Sequence, residues 1–374
     1  MCISHVPNDD IPVQNIEPRQ KPLGRIVRTI LRKKWWVRGL PKNSSVRRPN
    51  NQRSDNGEKH SNSHLRSAPA KNETLRKRQP KRAPRHHTTR WISQNVQNLL
   101  DDKLNSLPSL MKADSYDVAL LQETKRLTDT VDVEGYRFFF HGEAGGKQCN
   151  REARAGVGIG LSRLGQDAWK RAGSHDPIRI SCGEGDKKAG RIIGLRLTFI
   201  DRKGKEVKYC VISAHLPHSG YSDDEYDECF EAIGHIVDGL DPQTIPYLGS
   251  DINARMGTSN DHESETPALG PYGLANFNAR GERALHHISN MGFCSLPSFF
   301  QHDHYTSWYT INGCEPVLID TCCTRKEDRK RFTDVYVGKN TFVESDHNPI
   351  TAELKILGRT KRSGQAKKKR RRTH

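Results

Sequence analysis

The sequence lacks paired metal-binding or redox cysteines. Its nine cysteines (Cys2, Cys149, Cys182, Cys210, Cys229, Cys294, Cys314, Cys322 and Cys323) are odd in number and contain no Cys-x-x-Cys. Neither a disulfide framework nor a zinc ribbon is suggested, and a reducing compartment is expected. Nowhere do about 18 apolar residues run together, which excludes a membrane-spanning helix. Residues 1–10 are polar and acidic rather than a signal peptide, so the chain reads as soluble and intracellular, with no membrane partner. Apolar residues make up only 33% of the 374, enough for a core but low for a chain that is globular throughout.

Acidic residues are missing from one place in particular. Residues 359–374 hold 9 Lys+Arg and no Asp or Glu, and residues 1–90 hold 22 against 6. The remaining residues, 91–358, carry 30 against 38. An acidic body therefore lies between two basic tails, as expected when a carboxylate-lined site needs cations and the tails reach for a polyanion. Residues 18–90 are rich in Arg, Lys, Ser, Asn and Pro and read as disordered. Within them Arg25 to Arg38 mixes Ile26, Val27, Ile30, Leu31, Trp35 and Trp36 with six basic residues, either a basic amphipathic helix or a fluctuating segment. Lys367 to Arg372 has the composition of a nuclear localisation signal, so a nuclear location is expected.

From Trp91 the pattern becomes that of a folded domain, 91–358. Strands are expected at 91–96, 117–122, 156–161 and 191–200, the last joined by a hairpin to 207–214. Later strands are expected at 245–251, 305–308, 317–321 and 350–356. Helices are expected at about 98–111, with Leu99, Leu100, Leu104, Leu107 and Leu110 inward, and from Ser222, where Ser222 and Glu225 form a capping box. A third spans about 281–291 and closes at Gly292. Strands and helices alternate early and strands dominate late. The expectation is a mixed α/β (α+β) fold with two packed mixed β-sheets and helices outside, a four-layer sandwich with disordered basic tails.

Polar residues stand where apolar runs stop. Ile245 to Asn253 delivers Asp251 and Asn253, which share a side if the strand continues, so a carboxylate and a carboxamide would converge. A carboxylate there can hold a hard cation or polarise a nucleophile, and a neutral amide can bind a phosphate oxygen. Asn95, Glu123, His215, Asp320 and the pair Asp346-His347 also end or follow apolar runs. Independent strands that each end in Asn, Glu, Asp or His imply one shared site. Glu123 and Asp346 suit Mg²⁺, and His347 beside a buried Asp320 is a base whose tautomer has an orienting partner. For any one residue a cap, a core histidine or an Asp–Arg pair is as good a reading; for seven together it is not.

These stretches, Ser-Gln-Asn95-Val, Leu-Gln-Glu123-Thr-Lys, Gly-Ser-Asp251-Ile-Asn253, Ile-Asp320 and Ser-Asp346-His347-Asn-Pro, resemble the ordered signature of the endonuclease/exonuclease/phosphatase superfamily over 91–358. The resemblance implies Glu123, Asp346 and Asn95 on the metal side. It implies Asp251 and Asn253 as the pair that polarises a reacting oxygen and holds the phosphate, and Asp320 and His347 as a dyad. His215 would contact the phosphate. Asn278 in Asn-Ala-Arg-Gly-Glu-Arg and the stretch Tyr305-Thr-Ser-Trp308 narrow the resemblance to endonuclease domains of non-LTR retrotransposons and their domesticated relatives, with Asn278 beside the substrate. Thr321-Cys322-Cys323 departs from the usual Tyr-Ile-Leu, and no reverse transcriptase follows. The expectation is a Mg²⁺-dependent endonuclease, with Mn²⁺ able to substitute, that nicks DNA. Alternatives are an abasic-site nuclease, a phosphoester hydrolase acting on RNA or phosphoinositides, and a nucleic-acid-binding protein with an inert domain.

Overall fold

The computed structural model describes residues 88–355 apart from 146–148, 202–203, 263–266 and 311–314. Both basic tails, including Arg25 to Arg38 and Lys367 to Arg372, lie outside the described residues.

In chain order the elements are β1 (Thr89–Asn95), α1 (Asp101–Ala113), β2 (Tyr116–Gln122), β3 (Asp129–Val133), β4 (Tyr136–Gly145), β5 (Cys149–Leu161) and α2 (Arg163–Arg171). Then come β6 (Ile178–Cys182), β7 (Ala189–Ile200), β8 (Glu206–His215), α3 (Asp223–Asp238), β9 (Ile245–Asp251) and α4 (Ala279–Asn290). Last are β10 (Phe293–Ser295), β11 (Trp308–Tyr309), β12 (Pro316–Val317), β13 (Asp320–Arg325), β14 (Phe332–Val337) and β15 (Ile350–Leu354). Strand pairing runs β10-β13-β9-β8-β7-β5-β2-β1-β15-β14, with β4 beside β5, β3 beside β4, and β6 beside β7; β11 and β12 form a separate pair. The pairs β1–β2 and β8–β9 are parallel, so both halves are mixed. Among the described residues the strand pairing that joins the halves is the single Ala155–Gly190 bridge between β5 and β7.

Period-two alternation explains how the halves pack. Trp91, Val118 and Leu120 point to a core shared with Leu195, Tyr209, Val211 and Tyr247 of the other sheet, while Ile92, Ala119 and Leu121 point outward under Leu104, Leu107 and Met111 of α1. On the second sheet Cys210, Ile212 and Leu248 meet Tyr226, Phe230, Leu285 and Ile288 of α3 and α4. The result is helix, sheet, sheet, helix. Trp91 closes the middle layer, edge-on to Tyr209 and Tyr247 at 5.1 and 4.9 Å. The sheets come close at Gly249, where a Cβ would stand 2.6 Å from Leu120 and 2.8 Å from Ser93 Oγ. No helix among the described residues is long and apolar enough to cross a membrane.

Several boundaries differ from expectation. The first helix begins at Asp101 because Gln97 and Asn98 are left-handed (φ 43° and 80°) and the amides of Asn98 and Leu99 donate to the carbonyls of Glu123 and Thr124. Leu100 is consequently an exposed N-cap rather than an inward residue. The hairpin β3–β4 was not expected: β3 is mostly exposed, and its turn is Glu134-Gly135, both left-handed, instead of the usual Asn-Gly. β6, β10 and β14 are short or edge strands, and α2 is a helix of nine residues, Arg163–Arg171, capped by Ser162, whose hydroxyl accepts from the Gly165 amide. The expected strand 317–321 is broken, since β12 ends at Val317 and β13 starts at Asp320.

Candidate active site

Asp251 ends β9, with β8 on one side and β13 on the other. The register places His215 and Asp320 directly beside it. Its side chain is 1% exposed; Oδ2 accepts from Asn95 Nδ2 at 3.0 Å, and Oδ1 accepts from the Asn253 amide at 2.9 Å. Burial, then the adjacent Asp320 charge, push the Asp251 carboxyl up to about 7, against the opposing pull of His347 and these bonds. The strand does not continue to Asn253, which is left-handed (φ 50°) and turns its Nδ2 back to donate to Leu216 O at 2.9 Å. Asn253 is thus near Asp251 through the turn, not through strand alternation.

Asp320 and His347 form a buried pair, His347 Nδ1 lying 2.8 Å from Asp320 Oδ2. A carboxylate only accepts, so Nδ1 carries the proton and Nε2 faces Asp346 Oδ1 at 3.8 Å. Burial alone would lower the His347 pKa, but the charge and hydrogen bond of Asp320, with Asp251 and Asp346, raise it to about 10. Asp320 Oδ1 is buried without a protein partner.

Three residues that motif reasoning did not assign hold this pair. Gln94 donates to the carbonyls of Val343 and His347 (3.0 and 2.8 Å) and accepts from the Val343 amide (3.0 Å), fixing the loop before β15. Ser307 Oγ accepts the amides of Ile319 and Asp320 (3.0 and 3.2 Å), which starts β13 where it does, and Ser307 O accepts the Asn348 amide at 2.7 Å. Trp308 Nε1 donates to Asp346 Oδ2 at 2.9 Å. A polar residue amid an apolar strand was the available signal for Gln94. For Ser307 the resemblance offered the stretch Tyr305-Thr-Ser-Trp308 but no role, because its partners Ile319 and Asp320 lie over ten residues away.

On the other flank, Glu123 is left-handed (φ 51°) and its Oε1 lies 3.4 Å from His215 Nε2, with Asp251 Oδ2 at 3.9 Å. Behind His215, the buried Arg191 places NH1 3.3 Å from Nδ1. A guanidinium only donates, so Nδ1 accepts and Nε2 carries the proton. Burial first, then Arg191, His347 and His218, drive the His215 pKa well below its ordinary value. Left-handed residues crowd these strand ends: Gln97, Asn98, Glu123, Lys125, Ala155 and Asn253 all have φ between 43° and 80°. Backbone conformations of this kind cost energy and collect where geometry is over-determined.

Among the described residues two groups of His and carboxylate donor atoms lie within 4.8 Å of one another: Glu123, His215 and Asp251, and Asp251, Asp320 and His347. Because His215 Nε2 bears a proton, carboxylate oxygens of Glu123 and Asp251, with the unpartnered Oδ1 of Asp320, are the donors open to a cation. An oxygen set beside mutually repelling carboxylates fits a hard divalent ion. Asp346 stands outside both groups. Asn95 bonds at both ends of its amide, Oδ1 accepting from the Gln97 amide at 3.0 Å, so it orients Asp251. Asn278 caps α4, its Oδ1 accepting from the amides of Gly281 and Arg255 at 2.8 and 3.3 Å.

No protein-family model and no curated protein matches the chain. Among solved structures, the catalytic domain of Xenopus laevis APE2 superposes with a TM-score of 0.51 at 17% identity, covering 73% of this chain and 94% of that one. An AP endonuclease from Archaeoglobus fulgidus matches at 0.48 and 18% identity, over 72% of this chain and all (100%) of that one. The endonuclease domain of TRAS1, a telomere-specific non-LTR retrotransposon, matches at 0.45 and 16%, over 72% and 100%. With its helix–sheet–sheet–helix layering and the APE2 superposition, this chain has the endonuclease/exonuclease/phosphatase fold.

Proposed function

We propose that the chain is a divalent-metal-dependent phosphodiester hydrolase that nicks DNA, with Mg²⁺ as the ion and Mn²⁺ able to replace it. The observation that carries this reading is the row His215, Asp251, Asp320 across three adjacent strands, with His347 bonded to its end. Glu123 and Asp251 would hold the ion, with Asp346 reaching it from the opposite loop. A divalent ion at such a site stabilises charge on the phosphoryl oxygens and lowers the pKa of bound water.

The protein's own groups divide the remaining work. Asp251, pushed up to about 7 in the metal-free site, would be kept ionised by the cation and orient the attacking water or the leaving oxygen as a carboxylate. His347, held protonated by its carboxylates at neutral pH in the metal-free site, faces the phosphate as a cation, and it acts as a base only once that proton is lost. His215 donates from Nε2 to a phosphate oxygen without adding charge. Asn253 offers a neutral donor beside them, and Asn278 would meet the flanking strand. The basic tails supply long-range attraction to the polyanion and, in a eukaryotic cell, nuclear entry.

Incubation of the full-length protein with supercoiled plasmid and Mg²⁺ tests this reading. Open-circular product that disappears with chelator is expected. Undiminished cleavage in excess chelator would refute the metal role, and no cleavage of DNA with either ion would refute the substrate.

A further inference from the structure

Among the described residues the exposed large apolar side chains are Leu100, Leu127, Phe277 and Tyr309, exposed by 56, 36, 43 and 47%. All four lie in segments that carry or adjoin the site residues. Leu100 follows the turn after Asn95, and Leu127 follows Glu123. Phe277 bridges to Met256 in the segment that leaves Asn253, and Tyr309 follows Trp308, the partner of Asp346. One exposed apolar side chain signifies nothing; confinement of all of them to one rim marks a contact surface.

The two aromatics belong to segments tied together. Asn276 Nδ2 and Arg255 NH1 both reach Glu315 Oε1, at 3.4 and 2.9 Å, and the Thr310 amide donates to Glu315 O at 3.1 Å. The loop carrying Phe277 is thereby fixed against the strand pair carrying Tyr309. Leu100 and Leu127 line one hollow with Lys125 and Arg126 and also with Asp101 and Asp129, Arg126 being paired to Asp101 at 2.8 Å, so apolar surface there adjoins charge of both signs and Lys125 is the cation not committed to that pair.

A paired duplex shows such a surface phosphates and groove edges, while the flat faces of its bases stay hidden in the stack. Rings and leucines beside a phosphate-cleaving centre gain most from nucleotides whose bases have left the stack, because every base then offers an apolar face. Resting on the reading of the site as a DNA phosphodiesterase, we propose that this rim is a platform for unpaired bases. The substrate is then DNA that is locally unpaired beside the scissile phosphate.

The full-length protein would be titrated, in chelator, with a labelled duplex and with the same duplex carrying a short aminopurine-labelled bubble. Tighter binding of the bubble, with the aminopurine emission quenched on binding, is expected. Phe277→Ala and Tyr309→Ala should each weaken bubble binding roughly tenfold and collapse the preference over duplex, whereas Phe277→Trp should keep it. Equal affinity for the two DNAs, or equal losses on both in the alanine variants, would overturn the proposal. Circular dichroism checks that the variants fold. The failures are separable: if no metal supports nicking of either DNA, the reading of the site falls, while the binding titration still decides the platform.

Discussion

The two flanks of Asp251 each present a buried histidine, and they fix opposite charge states on it. On the β13 side His347 leans on Asp320, with Asp251 and Asp346 nearby, and holds its proton to about 10. On the β8 side His215 receives a hydrogen bond from Arg191 and stays neutral. Residue type and burial are nearly the same, at 6 and 5% exposure, so the neighbour's sign decides. On the proposed reading one flank would supply a cation to the phosphate and the other a neutral donor of fixed tautomer, with the Asp251 carboxyl, pushed up to about 7 in the metal-free site, between them.

The comparison breaks most severely if its centre is removed. Asp251→Asn and His347→Ala should each lower the nicking rate by about 10² or more, and Glu123→Ala likewise, as measured in single turnover with folding checked. If any two of the three stay within a factor of about three, the site is misassigned. Next, Arg191→Met should let His215 adopt the other tautomer, visible in its imidazole ¹⁵N shifts, and lower kcat on the order of tenfold with less change in KM. An unchanged tautomer would mean that Arg191 is not what orders the β8 flank.

A smaller effect should appear in the pH dependence of stability of the chelated protein. His347 has a folded pKa raised above 6.5, so its contribution is complete below 6.5 and is lost as pH rises through about 10. His347→Gln should flatten that alkaline limb in denaturant melts. An identical limb in the variant would show that the Asp320 pair does not hold the proton. The least effect is expected from Trp308→Phe, which removes one bond to Asp346 and should raise the metal concentration for half-maximal nicking a few-fold, read also by direct Mn²⁺ titration.

What could be seen in the sequence was the part written in local patterns. Apolar runs ending in polar residues located β1, β2, β8 and β9 and with them Asn95, Glu123, His215 and Asp251, and the capping box set the start of α3 at Asp223 as observed. The layering followed from alternation. What could not be seen depends on distant partners. The helix start at Asp101 is set by carbonyls of the Glu123 turn, the break before Asp320 by the Ser307 hydroxyl, and the tautomer of His215 by an arginine on the neighbouring strand. Asn278 was placed beside the substrate by resemblance, while its carboxamide oxygen is occupied in capping α4. The β3–β4 hairpin escaped notice because an exposed strand and a Glu-Gly turn carry no usual signal.

The single Ala155–Gly190 bridge between the sheets has a consequence for when the chain can act. Asn95, Glu123, Asp346 and His347 ride on the first sheet or its connections, and His215, Asp251 and Asp320 on the second. Neither sheet owns a working set, and the last member arrives 252 positions after the first, between Asn95 and His347. With these residues as the catalytic set, the growing polypeptide would stay chemically silent until the segment past His347 had left the ribosome and paired with β1, since domains fold as units. If the chain cuts DNA as proposed, a partly made or half-opened protein would be a harmless one, and cleavage would report that the two sheets have closed.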